Sequence, residues 1–209
     1  MTRGEGVATN GRRSHGFFLA VAAIFWVLAI GAGYRKVMAY SATPGEAASA
    51  PSVWPANVRF ERNSSGPTLV MLAHPHCPCT RASLTELSSL MTRFPQMRAY
   101  VFFLRPEGFS NKWVHGGTWG MAQRIPRVAT MIDPMGKEAA LFGARTSGQV
   151  VLYDANGKLA FSGGITPVRG HIGDSTGQRT IAALLKGERV DAKDSQVFGC
   201  PLQDPTTTE

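Results

Sequence analysis

A chain of 209 residues leaves room for one globular domain of roughly 150 residues and one appendage. Its net charge of +8 would suit a nucleic-acid binder, but residues 1–36 hold five basic residues and one acidic one, so half of the excess flanks a single segment. The remainder is spread without a run of Lys or Arg, which reads as a solvated basic surface and excludes nucleic acid as a partner.

That single segment is Gly16 to Tyr34, a run without charged residues, long enough as a helix to span roughly 30 Å of hydrocarbon. It is predicted as a transmembrane anchor behind a cytoplasmic N-terminus of residues 1–15. A short N-terminus ahead of a first apolar segment normally stays in the cytoplasm, which puts the C-terminal domain on the extracytoplasmic, periplasmic side of the cytoplasmic membrane. A cleaved secretory signal is the rival reading, because Val37-Met38-Ala39 and Tyr40-Ser41-Ala42 offer small residues near a cleavage position. The run exceeds the length of a usual signal, and the anchor is preferred. Residues 35–55, rich in Ala, Ser, Pro and Gly, follow as a flexible tether.

The folded domain is expected over residues 56–190. Thr68 to Ala73 predicts a buried strand, and Pro78 to Phe94 a helix with Leu84, Leu87, Leu90, Met91 and Phe94 on one face. Ala99 to Leu104 is a second strand, Asn111 to Ile125 ends in a short helix, Val128 to Ile132 is a third strand, and Lys137 to Phe142 a helix that stops at Gly143. Gln149 to Tyr153 and Lys158 to Ser162 form a hairpin through Asn156-Gly157, and Thr176 to Lys186 is the last helix. This order predicts an α/β fold with a mixed sheet flanked by helices, then a C-terminal tail over residues 191–209.

The chemistry concentrates in His74-Pro75-His76-Cys77-Pro78-Cys79-Thr80, where strand gives way to helix. Proline is best tolerated at the first helical position and disfavours helical geometry in the residue before it, so Pro78 opens the helix and Cys77 is its cap. A thiolate there lies beside the positive end of the helix dipole, which makes Cys77 the attacking thiol. Cys79, one residue beyond Pro78, is expected to resolve a mixed disulfide or to close a strained ring with Cys77. His76 could tune the Cys77 thiolate. The working reading needs no cofactor. The alternative is a copper-binding assembly factor, since His74, His76, Cys77 and Cys79 supply two imidazoles and two thiolates suited to Cu(I) or Zn(II).

From Thr68 to about Lys186 the chain resembles the thioredoxin-like superfamily, in its membrane-tethered extracytoplasmic branch, and is most similar to the RedB-like proteins. The resemblance rests on Cys77 at the first cysteine of a Cys-x-x-Cys motif, then Asp133-Pro134-Met135-Gly136, Phe142-Gly143 and Tyr153-Asp154-Ala155-Asn156-Gly157-Lys158 in order. It implies a thioredoxin-like sheet, thiol–disulfide oxidoreductase activity and a protein thiol or disulfide as partner. Thr80 stands where that family has its second cysteine. The family's substrate-facing cis-proline falls at Gly148 by ungapped counting, or at Ser147 with a shift of one.

Cys200, the third cysteine, lies beyond the last helix and is a candidate resolving thiol, a link to another molecule, or a free thiol. The loop Gly163 to Gly177 carries Arg169, His171 and Asp174 among glycines. It reads as a long turn whose Asp174 or Ser175 caps the last helix, or as a recognition loop.

Overall fold

A computed structural model describes residues 10–202, which fall into two compact units dividing between Tyr40 and Ser41. Most of helix α1, Asn10–Ala42, makes up the described part of the first. Its span His15–Ala42 contains an 18-residue window with a mean hydropathy of 2.2, none of it buried. Twenty-eight helical residues extend about 42 Å, more than the roughly 30 Å of a hydrocarbon core. The helix outruns the expected Gly16 to Tyr34 segment at both ends, so residues 35–42 of the expected tether are helical.

The second unit is a five-stranded sheet in the order β3-β2-β1-β4-β5. Strand β1, Thr68–Ala73, is central, parallel to β2, Arg98–Arg105, and antiparallel to β4, Gln149–Tyr153. Strand β3, Val128–Pro134, extends one side in parallel, and β5, Leu159–Gly163, closes the other as the antiparallel partner of β4. Every residue of β1 is buried, as a strand covered on both faces must be. Its period of two sends Leu69, Met71 and Ala73 into one core and Val70 and Leu72 into the other.

Helix α2, Pro78–Arg93, packs Leu84, Leu87, Leu90 and Met91 into the first core, the face read from their spacing. Phe94, expected as its last residue, is the C-cap, its N–H bonding the Leu90 carbonyl. Between β2 and β3 are two short helices in place of one, α3, Asn111–Val114, and α4, Gly117–Gln123, interrupted at His115-Gly116. On the opposite core, Trp54 meets Phe60, Phe142 and Tyr153 edge-on at 5.2–5.6 Å between ring centres. Helix α5, Lys137–Leu141, begins on the buried Asp133, whose carboxylate accepts the Glu138 and Ala139 N–H groups at 2.9 and 3.0 Å. Helix α6, Thr176–Leu185, is capped by Ser175 rather than Asp174, the Ser175 hydroxyl accepting the Gln178 N–H.

Two expected boundaries need correction. The rest of the expected tether lies along the domain: Gly45 N–H bonds Val197 O, Ser49 N–H bonds Gly143 O, and Trp54 N–H bonds Gly157 O. The Tyr153 hydroxyl adds a bond to Pro51 O. Low apolar periodicity marks a segment without its own secondary structure, yet its backbone groups still need partners and here find them on the domain. At the other end, the expected tail is integrated as far as Leu202: Asp194 bridges β5 at Ser162, and Val197, Phe198 and Leu202 are buried. The compact unit therefore outruns residues 56–190 in both directions.

Candidate active site

Strand β1 ends at Ala73, and the next four residues turn the chain into α2. Cys77 N–H bonds His74 O at 3.2 Å, and Thr80 N–H bonds Cys77 O at 3.1 Å. The Thr118 hydroxyl holds Pro75 O from α4 at 2.7 Å. Cys77 adopts φ −81° and ψ 126° as the N-cap, with Pro78 opening the helix, as the proline rules require.

Three thiols converge here. Cys77 and Cys79 flank the first helical residue, and the Cys200 Sγ lies 2.8 Å from the Cys77 Sγ across 123 residues of sequence. No disulfide joins any two of them. Cys77 and Cys79 are almost completely buried, with Cys77 only 2% exposed, and Cys200 is half-buried.

Electrostatics single out Cys77. A hydrogen bond from the Cys79 thiol is the largest influence, and with help from Cys200 it overcomes burial and lowers the Cys77 pKa from 9.0 to about 4. The Cys77 side chain makes no capping hydrogen bond, so the helix start positions the thiolate while the neighbouring thiols stabilise it. The cost falls on the donors: Cys79 is pushed far up, first by its bond to Cys77 and then by burial. Cys200 is pushed up to about 12, first by burial and then by Cys77.

Thr80 is fully buried, and its hydroxyl donates to His74 O at 2.8 Å and lies 2.9 Å from the Ser147 hydroxyl. The Ser147 hydroxyl also accepts the His74 N–H at 2.9 Å. The loop before β4 thus meets the cysteine loop through Ser147, whereas the Gly148 N–H bonds Leu72 O. Gly148 has φ +89°, and a Cβ there would stand 2.8 Å from the Ser83 hydroxyl, so a side chain would be strained and would displace that hydroxyl.

His76 Nε2 is 2.8 Å from Trp113 O, with its ring against the Trp113 ring, and the His76 N–H is accepted by His74 Nδ1. The groups that lower Cys77 are the two other cysteines, not His76. Among the described residues, no group of three or more His, Cys, Asp or Glu side chains is arranged to hold a metal ion.

Two contributors lie far away in sequence. Arg169, in the glycine-rich loop, bonds through its guanidinium to Gly199 O and to Thr43 O. Glu86, buried on α2, accepts from Gly173 N–H of the same loop and from Gln178 Nε2 of α6. The loop also borders a cavity of about 1010 Å³ with the segments near residues 44–50 and 193–198, and none of the three cysteines lines it. No local periodicity announces Ser147 or Arg169; the only sequence signals are a landmark count for the first and an unusually long loop for the second.

A sheet ordered β3-β2-β1-β4-β5, with the cysteine helix entering directly from the central strand, defines a thioredoxin-like fold. No protein-family model matches the chain, and no curated protein matches it. Among solved structures, it is similar to an uncharacterized conserved protein from Geobacillus kaustophilus at 16% identity and a TM-score of 0.54, covering 78% of this chain and 92% of that one. It is also similar to a hypothetical protein from Sinorhizobium meliloti at 18% identity and a TM-score of 0.55, covering 77% and 93%. A secreted Mycobacterium tuberculosis disulfide oxidoreductase homologous to E. coli DsbE shares 14% identity over 59% of this chain and 82% of that one, with a TM-score of 0.42.

Proposed function

We propose that this chain is a membrane-anchored thiol–disulfide oxidoreductase whose domain works on the extracytoplasmic side, with Cys77 as its nucleophile. The observation that carries the reading is the cysteine cluster at the start of α2, where Cys77 is the N-cap and the Cys200 Sγ lies 2.8 Å from the Cys77 Sγ. A thiolate, not a thiol, attacks a disulfide sulfur, and a group with a pKa of about 4 is ionised throughout the neutral range. The length and apolar character of α1 support the anchor. The resemblance to RedB-like proteins supports the extracytoplasmic side.

The Cys77 thiolate attacks one sulfur of a partner protein's disulfide. That bond breaks, a mixed disulfide forms on Cys77, and the partner's other sulfur leaves as a thiolate. A second thiol of the cluster then attacks the Cys77 sulfur, releases the remaining partner thiolate and closes an internal disulfide. Two electrons pass to the partner, and an external dithiol restores the protein.

The test is reduction of insulin disulfides by the full-length chain in detergent with a dithiol donor. Cys77→Ser should abolish turnover above background while leaving the circular dichroism spectrum unchanged. Retained turnover in that variant would overturn the proposal.

A further inference from the structure

The cysteine pair Cys77-Pro78-Cys79 suggests that the internal disulfide closes within the motif. The geometry points to a different partner: we infer that Cys200, carried on a segment docked beside Ser147, is the resolving thiol, and that the working disulfide is Cys77–Cys200. This rests on the oxidoreductase reading above and names the residue that completes it.

The segment bearing Cys200 is held by an isolated β-bridge and flanking backbone bonds. Thr146 and Pro201 form an antiparallel bridge, Ser147 N–H bonds Cys200 O at 2.8 Å, and Leu202 N–H bonds Arg145 O at 2.8 Å. Upstream, Val197 O accepts the Gly45 N–H and Arg169 grips Gly199 O. Gly199 lies so close to the Ser147 loop that an added Cβ would stand 1.8 Å from Ser147 O. Only glycine permits that approach, so the residue before Cys200 is specified for docking. The result is a sulfur 2.8 Å from the Cys77 Sγ, needing only a small movement to form a bond.

Cys79 is worse placed for resolution. It is separated from Cys77 by one residue, a proline whose φ is fixed, while Cys77 is extended, so normal disulfide geometry is hard to reach within the pair. Its thiol is instead the chief donor to the Cys77 thiolate. When Cys77 enters a mixed disulfide its charge disappears, and with it the Cys77 influences that raise both other thiols. Cys200 then retains Arg169 as a neighbouring cation that favours its thiolate. Cys200 loses its proton to the departing partner thiolate, attacks the Cys77 sulfur, and expels the second partner thiolate. One sulfur–sulfur bond breaks as another forms, and the two electrons taken by the partner come from Cys77 and Cys200.

Cys77 is only 2% exposed, and the Cys200 sulfur lies against its own. A partner disulfide reaches Cys77 when residues 199–202 lift, and their return delivers Cys200 to the mixed disulfide. Cys200 is therefore both cover and second reactant.

Disulfide mapping of the full-length chain in detergent tests this. The chain is reduced, oxidised with glutathione disulfide, alkylated and digested without reduction, with fragment ions locating each bond. A Cys77–Cys200 link is expected in the native chain and in Cys79→Ser, and is absent from Cys77→Ser. With insulin as substrate, Cys200→Ser should hold the mixed disulfide on Cys77 at least about tenfold longer than the native chain. A Cys77–Cys79 loop with Cys200 alkylated, and turnover in Cys200→Ser at the native rate, would overturn the assignment while leaving the oxidoreductase reading intact. A Cys77–Cys200 link in a chain that reduces no partner disulfide would uphold the pairing and overturn that reading instead.

Discussion

The Thr80 hydroxyl lies 2.9 Å from the Ser147 hydroxyl, joining the first turn of the cysteine helix to the loop before β4 across 67 residues of sequence. Both residues are fully buried, and both also bond the His74 backbone, so the two hydroxyls fix the entry to α2 from two directions. Thr80→Val keeps the side-chain shape and removes those bonds. It should cost about 1–3 kcal/mol, the range for stranding buried polar groups, measured by urea unfolding of the full chain in detergent. Thr80→Ser should recover most of that loss.

Arg169 holds the backbone just before Cys200, at Gly199 O. Arg169→Ala should loosen residues 199–202 and expose Cys77. A bulky maleimide should then label Cys77 about tenfold faster than in the native chain, the factor that matches losing a charge-assisted hydrogen bond of about 1.5 kcal/mol. An unchanged labelling rate would mean that the segment does not control access.

Leu87 is fully buried in the core between α2 and the sheet. Leu87→Ala should destabilise the domain by about 2–5 kcal/mol through lost burial and a residual cavity. Because Leu87 is remote from the three sulfurs along α2, labelling of Cys77 in the folded fraction should keep its native pH dependence.

The anchor makes a cellular prediction. Full-length protein should stay with the membrane through alkaline carbonate extraction, and a chain lacking residues 1–40 should not. A membrane-impermeant maleimide applied to intact spheroplasts, without detergent, should reach a cysteine placed at the exposed Ile172. Labelling only after lysis would reverse the orientation.

Much of this architecture was legible in the sequence for physical reasons. The bounds of β1 and β4 follow from uninterrupted apolar runs, and the buried face of α2 follows from its three-and-four spacing. Cys77 as the cap follows from Pro78, because proline's constraints act on its immediate neighbour. What the sequence hid was long-range. The docking of residues 43–54 and 193–202 depends on backbone hydrogen bonds, which leave no side-chain pattern to read. Cys200 could be counted as a third thiol, but its approach to Cys77 depends on backbone bonds to Arg145 and Ser147 and an isolated bridge at Thr146, which no local propensity encodes.

The most direct test of the Cys77 thiolate is its alkylation rate against pH, followed by mass spectrometry in the fully reduced full-length chain. With a pKa of about 4, the rate at Cys77 should be flat from about pH 5 to about pH 9, falling only as pH drops toward 4. Cys79→Ala, which removes the largest stabilising contact, should move that fall to higher pH. A native Cys77 rate that instead climbs about tenfold per unit up to about pH 8.5, as an ordinary thiol's does, would contradict a stabilised thiolate at this site.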